Sequence, residues 1–72
     1  MNERYLRALV RLTKVTSEAT INAAVDHIIY GKTQDLSAQH NKVKQESVAR
    51  LTTRLNELDK QVTELAILKN NS

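Results

Sequence analysis

The sequence predicts an all-α fold, a four-helix domain in which the last helix is long. Proline is absent and glycine occurs once, so the chain lacks the residues that mark the turns of β structure. Apolar residues recur at spacings of three and four along most of the chain, which is the period of an amphipathic helix. A chain of 72 residues forms one domain at most, and we therefore expect residues 1–72 to fold as a single unit.

The first helix is predicted from about Asn2 to Lys14. Its buried face is predicted from apolar residues at helical spacing, namely Leu6, Leu9 and Val10. Four basic residues follow one another at +3, +4 and +3 and would form one stripe on this helix: Arg4, Arg7, Arg11 and Lys14. The stripe is either a solvated helix face or a surface that lies along a phosphate backbone.

The second helix is predicted to begin after Thr16 or Ser17 and to continue through Tyr30. Either of the first two residues can accept a hydrogen bond as the N-cap. Five apolar residues predict a wide buried face: Ile21, Ala24, Val25, Ile28 and Ile29. Gly31 is expected to end this helix in the left-handed conformation.

A helix-turn-helix is predicted at about residues 33–54. Thr33 can cap a short helix that reaches His40, and four apolar residues at spacings of 0, +5, +10 and +13 predict a buried corner with the next helix: Ala38, Val43, Val48 and Leu51. Lys42 occupies the turn position usually held by glycine. Asn41 tolerates a left-handed backbone better, so a turn shifted by one residue is the alternative. The purely structural alternative is an ordinary helix–loop–helix corner in a small all-α domain, with no role in DNA binding.

The polar side of the second helix of such a motif enters the DNA major groove. Gln45 is predicted to pair with adenine, and Arg50 or Arg54 with guanine. The candidate DNA-binding residues are Lys32, Thr33, Gln34, Lys42, Lys44, Gln45, Glu46, Ser47, Ala49, Arg50, Thr53 and Arg54. Residues 1–54 contain nine basic and five acidic residues, whereas residues 55–72 contain two basic and three acidic residues, so the positive charge lies with the motif. Double-stranded DNA is therefore the expected partner.

The last helix is predicted as a rod over about residues 45–69. Six apolar residues repeat at 3, 4, 3, 4 and 3, which is a heptad pattern: Val48, Leu51, Leu55, Leu58, Val62 and Leu65. The last four are expected to be covered either by the first helix or by a second copy, in a homodimer through Leu55, Leu58, Val62 and Leu65. Pairing between copies is the preferred prediction, because the first helix is too short to cover the whole stripe. The alternative function is a helical interaction module, such as an antitoxin or an adaptor, that binds a protein through this face.

The sequence holds no pattern typical of catalysis or of a bound cofactor. It has no glycine-rich phosphate loop, no Ser-His-acid arrangement and no cysteine, and His27 and His40 are isolated residues expected to be structural. We therefore expect neither enzyme activity nor a metal or cofactor. There is no run of about 18 apolar residues and no secretory signal, so neither a membrane partner nor secretion is expected.

A run of residues within positions 21–55 carries a family resemblance: Ile21, Ala24, Ile28, Ile29, the lead Gly31-Lys32-x-Gln34, then Ala38, Val43, Val48 and Arg54. This run resembles the KorA/TrfB-type repressors of bacterial conjugative plasmids, and less closely the PapB-type regulators of fimbrial adhesin operons. The resemblance covers about half the chain and implies a dimeric, cytoplasmic bacterial regulator that binds short operator repeats on plasmid DNA.

The resemblance leaves the biological outcome open between repression and plasmid segregation. Related small domains occur in plasmid stability proteins of the StbA type, which bind arrays of direct repeats near the transfer origin. KorA-type repressors also carry a separate dimerisation region after the DNA-binding part, where this chain has only the heptad helix.

Overall fold

The computed structural model describes residues 1–71, and this part of the chain is all-helical. Its elements are α1 (Glu3–Val10), α2 (Glu18–Ile28), α3 (Gln34–His40) and α4 (Gln45–Asn70). The predictions of an all-α fold and of a long C-terminal helix are confirmed. The molecule measures 45 × 23 × 18 Å, and its long axis reflects the 26 residues of α4, which span about 39 Å at 1.5 Å per residue. None of the helices within residues 1–71 combines the length and apolar character needed to cross a membrane.

Three of the four described helices begin at a side-chain cap. Asn2, Ser17 and Thr33 each accept a hydrogen bond from the backbone N–H three residues later. Ser17, rather than Thr16, is therefore the cap of α2, and Thr33 caps α3 as predicted. Lys44 precedes α4 in an extended conformation and offers no side-chain cap, as its chemistry predicts.

The first helix is shorter than predicted. It ends at Val10, and a turn rather than a helix occupies the residues up to Lys14. The Thr13 hydroxyl donates to the carbonyl of Val10 at 2.7 Å and accepts from the N–H of Val15 at 3.2 Å. These bonds redirect the backbone so that Val15 packs against the core, where a continued helix would not place it.

The second helix ends at Ile28, two residues before the predicted Tyr30, and Gly31 follows with a φ of +74° as expected. His27 helps to fix the connection into α3, because its Nδ1 lies 2.7 Å from the carbonyl oxygen of Lys32. The N–H of Lys32 in turn donates to the carbonyl of Asp26. His27 is therefore a structural residue, as predicted.

The main core lies where α1 crosses α2 and α4. It consists of Leu6, Leu9, Val10, Ile21, Ala24, Val25, Leu51, Leu55 and Leu58. Leu55 is completely buried and Leu58 is 6% exposed, so the prediction that they face a second copy is wrong. They pack instead with α1 and α2 in this core. Val62 is half-buried against the same cluster, whereas Leu65 is 64% exposed beyond its end.

Two tyrosine hydroxyls tie α1 to its neighbours. Tyr5 donates to a carboxylate oxygen of Asp59 on α4 at 2.8 Å, and this hydrogen bond raises the pKa of Tyr5. Tyr30 donates to Glu3 at 2.7 Å, which raises the pKa of Tyr30. The Tyr30 hydroxyl and then the Arg7 guanidinium lower the pKa of the Glu3 carboxyl. These bonds hold α1 across the apolar stripe of α4.

Candidate nucleic-acid interface

A second, smaller core forms the corner between α3 and α4. Ala38 and Val48 are buried against Ala23 of α2, and Val43 packs on them from the connecting turn. The N–H of Val43 donates to the carbonyl of Ala38 at 2.9 Å and closes that turn. Three of the four predicted corner residues thus meet. Leu51 is also buried, but it belongs to the main core, and the sequence did not single out Ala23.

The turn between α3 and α4 has Lys42 in the left-handed conformation, with a φ of +57°. The alternative of a turn shifted to Asn41 is therefore wrong, because Asn41 has a φ of −96°. The Asn41 amide instead donates to the carboxylate of Asp26 at 2.9 Å and to the carbonyl of Ser37 at 2.8 Å. Asn41 thereby ties the turn to α2. No local sequence signal indicates this role, since Asp26 lies 15 residues away in the chain.

The first three turns of α4 present a polar surface on the side opposite Val48 and Leu51, which we call the α4 polar face. Its exposed members are Lys44, Gln45, Glu46, Arg50, Thr53 and Arg54, and its half-buried members are Ser47 and Ala49. Seven of the eight predicted residues therefore lie in the first three turns of α4, and the eighth, Lys44, lies directly before its first residue. Shallow clefts run along it, one of them lined by Ala49, Arg50, Thr53, Arg54 and Glu57.

The two arginines of the α4 polar face each lie near an acid on the same helix. Arg50 is 3.8 Å from Glu46 and both side chains are more than 80% exposed, while Arg54 is 3.7 Å from Glu57. Exposed ion pairs of this kind are worth about 0–1 kcal/mol. Either guanidinium can therefore exchange its acid for a nucleic-acid acceptor at little cost.

The remaining candidate residues lie at the two ends of α3. Lys32 and Thr33 are exposed before its first turn, Gln34 is half-buried, and Lys42 is exposed in the turn that leads to α4. The Thr33 hydroxyl already accepts from the N–H of Leu36 as the helix cap. Lys32 and Lys42 therefore carry the positive charge that flanks this helix.

The basic stripe predicted on the first helix is divided. Arg4 and Arg7 lie on α1, whereas Arg11 follows the helix end and Lys14 lies in the loop before α2. The Arg7 guanidinium is occupied, with Nε 3.0 Å from Glu3 and Nη2 3.1 Å from the side-chain oxygen of Asn22. The prediction of one continuous helical stripe is wrong because α1 ends at Val10.

Within residues 1–71 no group of three His, Cys, Asp or Glu side chains is placed to hold a metal ion. Comparisons of this chain with protein-family models, with curated proteins and with solved structures find no match. The geometry of the α3–α4 corner and of the surface beside it therefore carries the functional conclusion.

Proposed function

We propose that this protein is a sequence-specific double-stranded DNA-binding protein, not an enzyme, and that the N-terminal half of α4 reads the major groove. The observation that supports this most directly is the α4 polar face, which projects outward from a corner held by small buried side chains. A helix with its side chains is about 10–12 Å across and the major groove of B-DNA is about 12 Å wide.

Each part of the surface has a chemical role in this proposal. Gln45 lies in the first turn of α4, where its amide can donate to and accept from the edge of an adenine. Arg50 and Arg54 offer guanidinium groups to guanine, and each such pair is worth about 1–3 kcal/mol of discrimination. The exposed Lys32, Lys42 and Lys44 are proposed to bind phosphates, which sets the orientation without reading sequence.

We further propose that the protein is a plasmid-encoded regulator of the bacterial cytoplasm that binds short operator repeats. The resemblance of residues 21–55 to KorA/TrfB-type repressors supports this, as does the excess of basic residues in that half of the chain. A segregation role of the StbA type would use the same DNA-binding surface. Footprinting on the DNA upstream of the gene would distinguish one operator from an extended array of repeats.

The test is a selection from random duplexes followed by binding measured as fluorescence anisotropy. The wild-type protein should enrich one motif, and Arg50→Ala and Gln45→Ala should each lower the preference for that motif over an unrelated duplex. Each lost base contact should cost about 5-fold to 150-fold in that ratio, equivalent to about 1–3 kcal/mol. Lys60→Ala is the matched control, because Lys60 is exposed on α4 beyond the α4 polar face.

Two outcomes would contradict the proposal. If the wild-type protein enriches no motif, sequence-specific DNA binding is wrong. If it enriches a motif and both Arg50→Ala and Gln45→Ala retain full preference, another element reads the sequence.

A second candidate function is a helical interaction module of the antitoxin or adaptor kind. It is favoured by the apolar end of α4, where Leu65, Ile67 and Leu68 are each more than half exposed. Because α1 covers Leu55 and Leu58, only Val62 and Leu65 of the heptad stripe remain for a second copy or another protein. Sedimentation equilibrium of wild type and Leu65→Gln tests this. An enriched DNA motif would favour the first function, whereas a monomer that enriches no motif would point to a missing protein partner and favour the second.

A further inference from the structure

We propose that the loop between α1 and α2, residues 11–17, is a second DNA contact at which Arg11 and Lys14 bind backbone phosphates beside the groove that α4 occupies. This inference rests on the proposed DNA-binding function and adds to it a surface outside the helix-turn-helix. We call these residues the α1–α2 loop.

The α1–α2 loop borders the α4 polar face directly. Val15 of the loop and Thr20 of α2 line one cleft of about 360 Å³ together with Ser47, Arg50 and Arg54 of α4. On the other side of Val15, the loop continues into a groove lined by Arg11, Thr13 and Thr16. Under the proposed function, a duplex that receives Arg50 and Arg54 in its major groove would bring one edge of that groove close to Val15 of the loop.

The charge of this region is suited to phosphates. Residues 4–17 contain four basic residues and no acidic residue. Arg11 and Lys14 are both exposed, and neither has a carboxylate within ion-pair distance in the part of the chain that the structure describes. Glu18 is the one acid that lines the groove beside Arg11. Arg11 and Lys14 therefore give the loop a local positive potential that attracts a polyanion.

The backbone of the α1–α2 loop is already ordered around these cations. The Thr13 hydroxyl joins the carbonyl of Val10 to the N–H of Val15, and the N–H of Leu12 donates to the carbonyl of Leu9. The Val15 side chain packs against the main core. A loop fixed in this way loses little conformational entropy when it binds, so its two phosphate contacts would add to affinity with little ordering cost.

The same loop also exposes Leu12, which is 59% accessible, and an exposed apolar residue between cations is a feature of membrane-binding segments. The observations favour DNA, because the loop shares its cleft with the α4 polar face and exposes one apolar residue, Leu12, among polar neighbours. Binding of the loop to anionic lipid in place of DNA would overturn the proposal.

The experiment compares the wild-type protein with the double variant Arg11→Gln/Lys14→Gln on two duplexes, the selected motif and an unrelated sequence. The loss of two phosphate contacts should lower the slope of log Kd against log salt by about 1.8. The affinity deficit of the variant should consequently shrink about tenfold between about 50 and 200 mM salt. The deficit should be equal on both duplexes, because phosphate contacts carry no sequence information.

The matched control is Lys60→Gln/Lys69→Gln, which removes the same charge from α4 beyond its polar face. Its salt slope should stay close to the wild-type slope. Far-UV circular dichroism and thermal unfolding establish that both double variants fold. Binding to vesicles of phosphatidylcholine and phosphatidylserine in equal parts is measured for the same proteins, to test whether the loop binds anionic lipid.

The failure of this inference can be told apart from the failure of the proposed function. If the wild-type protein binds neither duplex at low salt, both are wrong. If it binds but the loop variant keeps the wild-type slope, or if both double variants lose slope equally, the α1–α2 loop is not a contact. If the loop variant loses vesicle binding and keeps DNA binding, the loop serves a membrane.

Discussion

Replacement of Lys42 by glycine is expected to stabilise the fold and weaken DNA binding at the same time. Lys42 has a φ of +57°, and the left-handed region costs a residue with a Cβ about 1–2 kcal/mol. Glycine removes that cost but gains about 0.5–1 kcal/mol of conformational freedom in the unfolded chain. The net gain in unfolding free energy is therefore about 0.5–1 kcal/mol, which raises Tm by a few degrees in a domain of this size.

The assay is thermal and urea unfolding followed by far-UV circular dichroism, with Gly31→Ala as the opposite control. Gly31 has a φ of +74°, and a Cβ built there meets no heavy atom within 4 Å. By the same two terms, alanine at this position should lose about 0.5–1 kcal/mol net, because the left-handed strain of about 1–2 kcal/mol is partly offset by the reduced freedom of the unfolded chain. Lys44→Gln is a second control, since Lys44 has a φ of −75° and should lose DNA affinity without any gain in Tm.

The DNA-binding measurement separates the two roles of Lys42. One phosphate contact fewer should lower the salt slope of Lys42→Gly by about 0.9. A Lys42→Gly protein that is less stable than wild type, alongside the expected loss in Gly31→Ala, would refute the assignment of a strained left-handed turn at this residue.

Leu55→Ala is expected to cost about 3–5 kcal/mol of unfolding free energy because this side chain is completely buried, and Leu65→Ala at most about 0.5 kcal/mol because Leu65 is mostly exposed. Urea unfolding compares them, and equal losses would show that Leu65 is buried in an interface. Asn41→Ala removes a hydrogen bond to a carboxylate on α2 and is expected to cost about 1.5–3 kcal/mol by the same assay, with a larger loss in Asn41→Asp. An unchanged urea midpoint in both variants would show that the Asn41 amide does not stabilise the turn. Glu46→Gln removes the acid that faces Arg50 and should tighten binding to every duplex by up to about fivefold, measured by anisotropy at low salt. Weaker binding would mean that Glu46 itself contacts a base.

The order and type of the helices follow from the sequence because local signals are strong at their starts. Hydroxyl caps at Ser17 and Thr33 and the single glycine mark boundaries that the structure has at or near the same residues. The end of α1 lacks such a signal. It depends on Val15 turning into the core, which is a tertiary contact that no local preference encodes.

The outward side of α4 could be predicted from the sequence, because burial of its apolar residues determines its orientation. The conformation of the turn before α4 could not, because it depends on a contact with a residue distant in the chain. The buried positions of Val48 and Leu51 determine which side of α4 faces outward. The left-handed residue was harder to assign, because residue preference favours asparagine, whereas Asn41 is held in another conformation by its bond to Asp26. An apolar spacing of three and four also cannot distinguish a helix face covered by α1 from one covered by a second copy. The prediction that Leu55 faces a second copy was wrong for this reason.

The continuity of α4 determines how its outward groups are aimed. One unbroken helix, Gln45–Asn70, carries both the α4 polar face and the leucines that α1 covers. Each residue of an α-helix turns the chain by about 100°, so one residue inserted between Arg54 and Leu55 would rotate the two halves by that angle relative to each other. Either the leucines would leave the core or the guanidinium groups would leave the α4 polar face. Under the proposed function, substitutions along the outward side would thus change which bases are preferred, while the length of α4 between its two halves would have to stay constant.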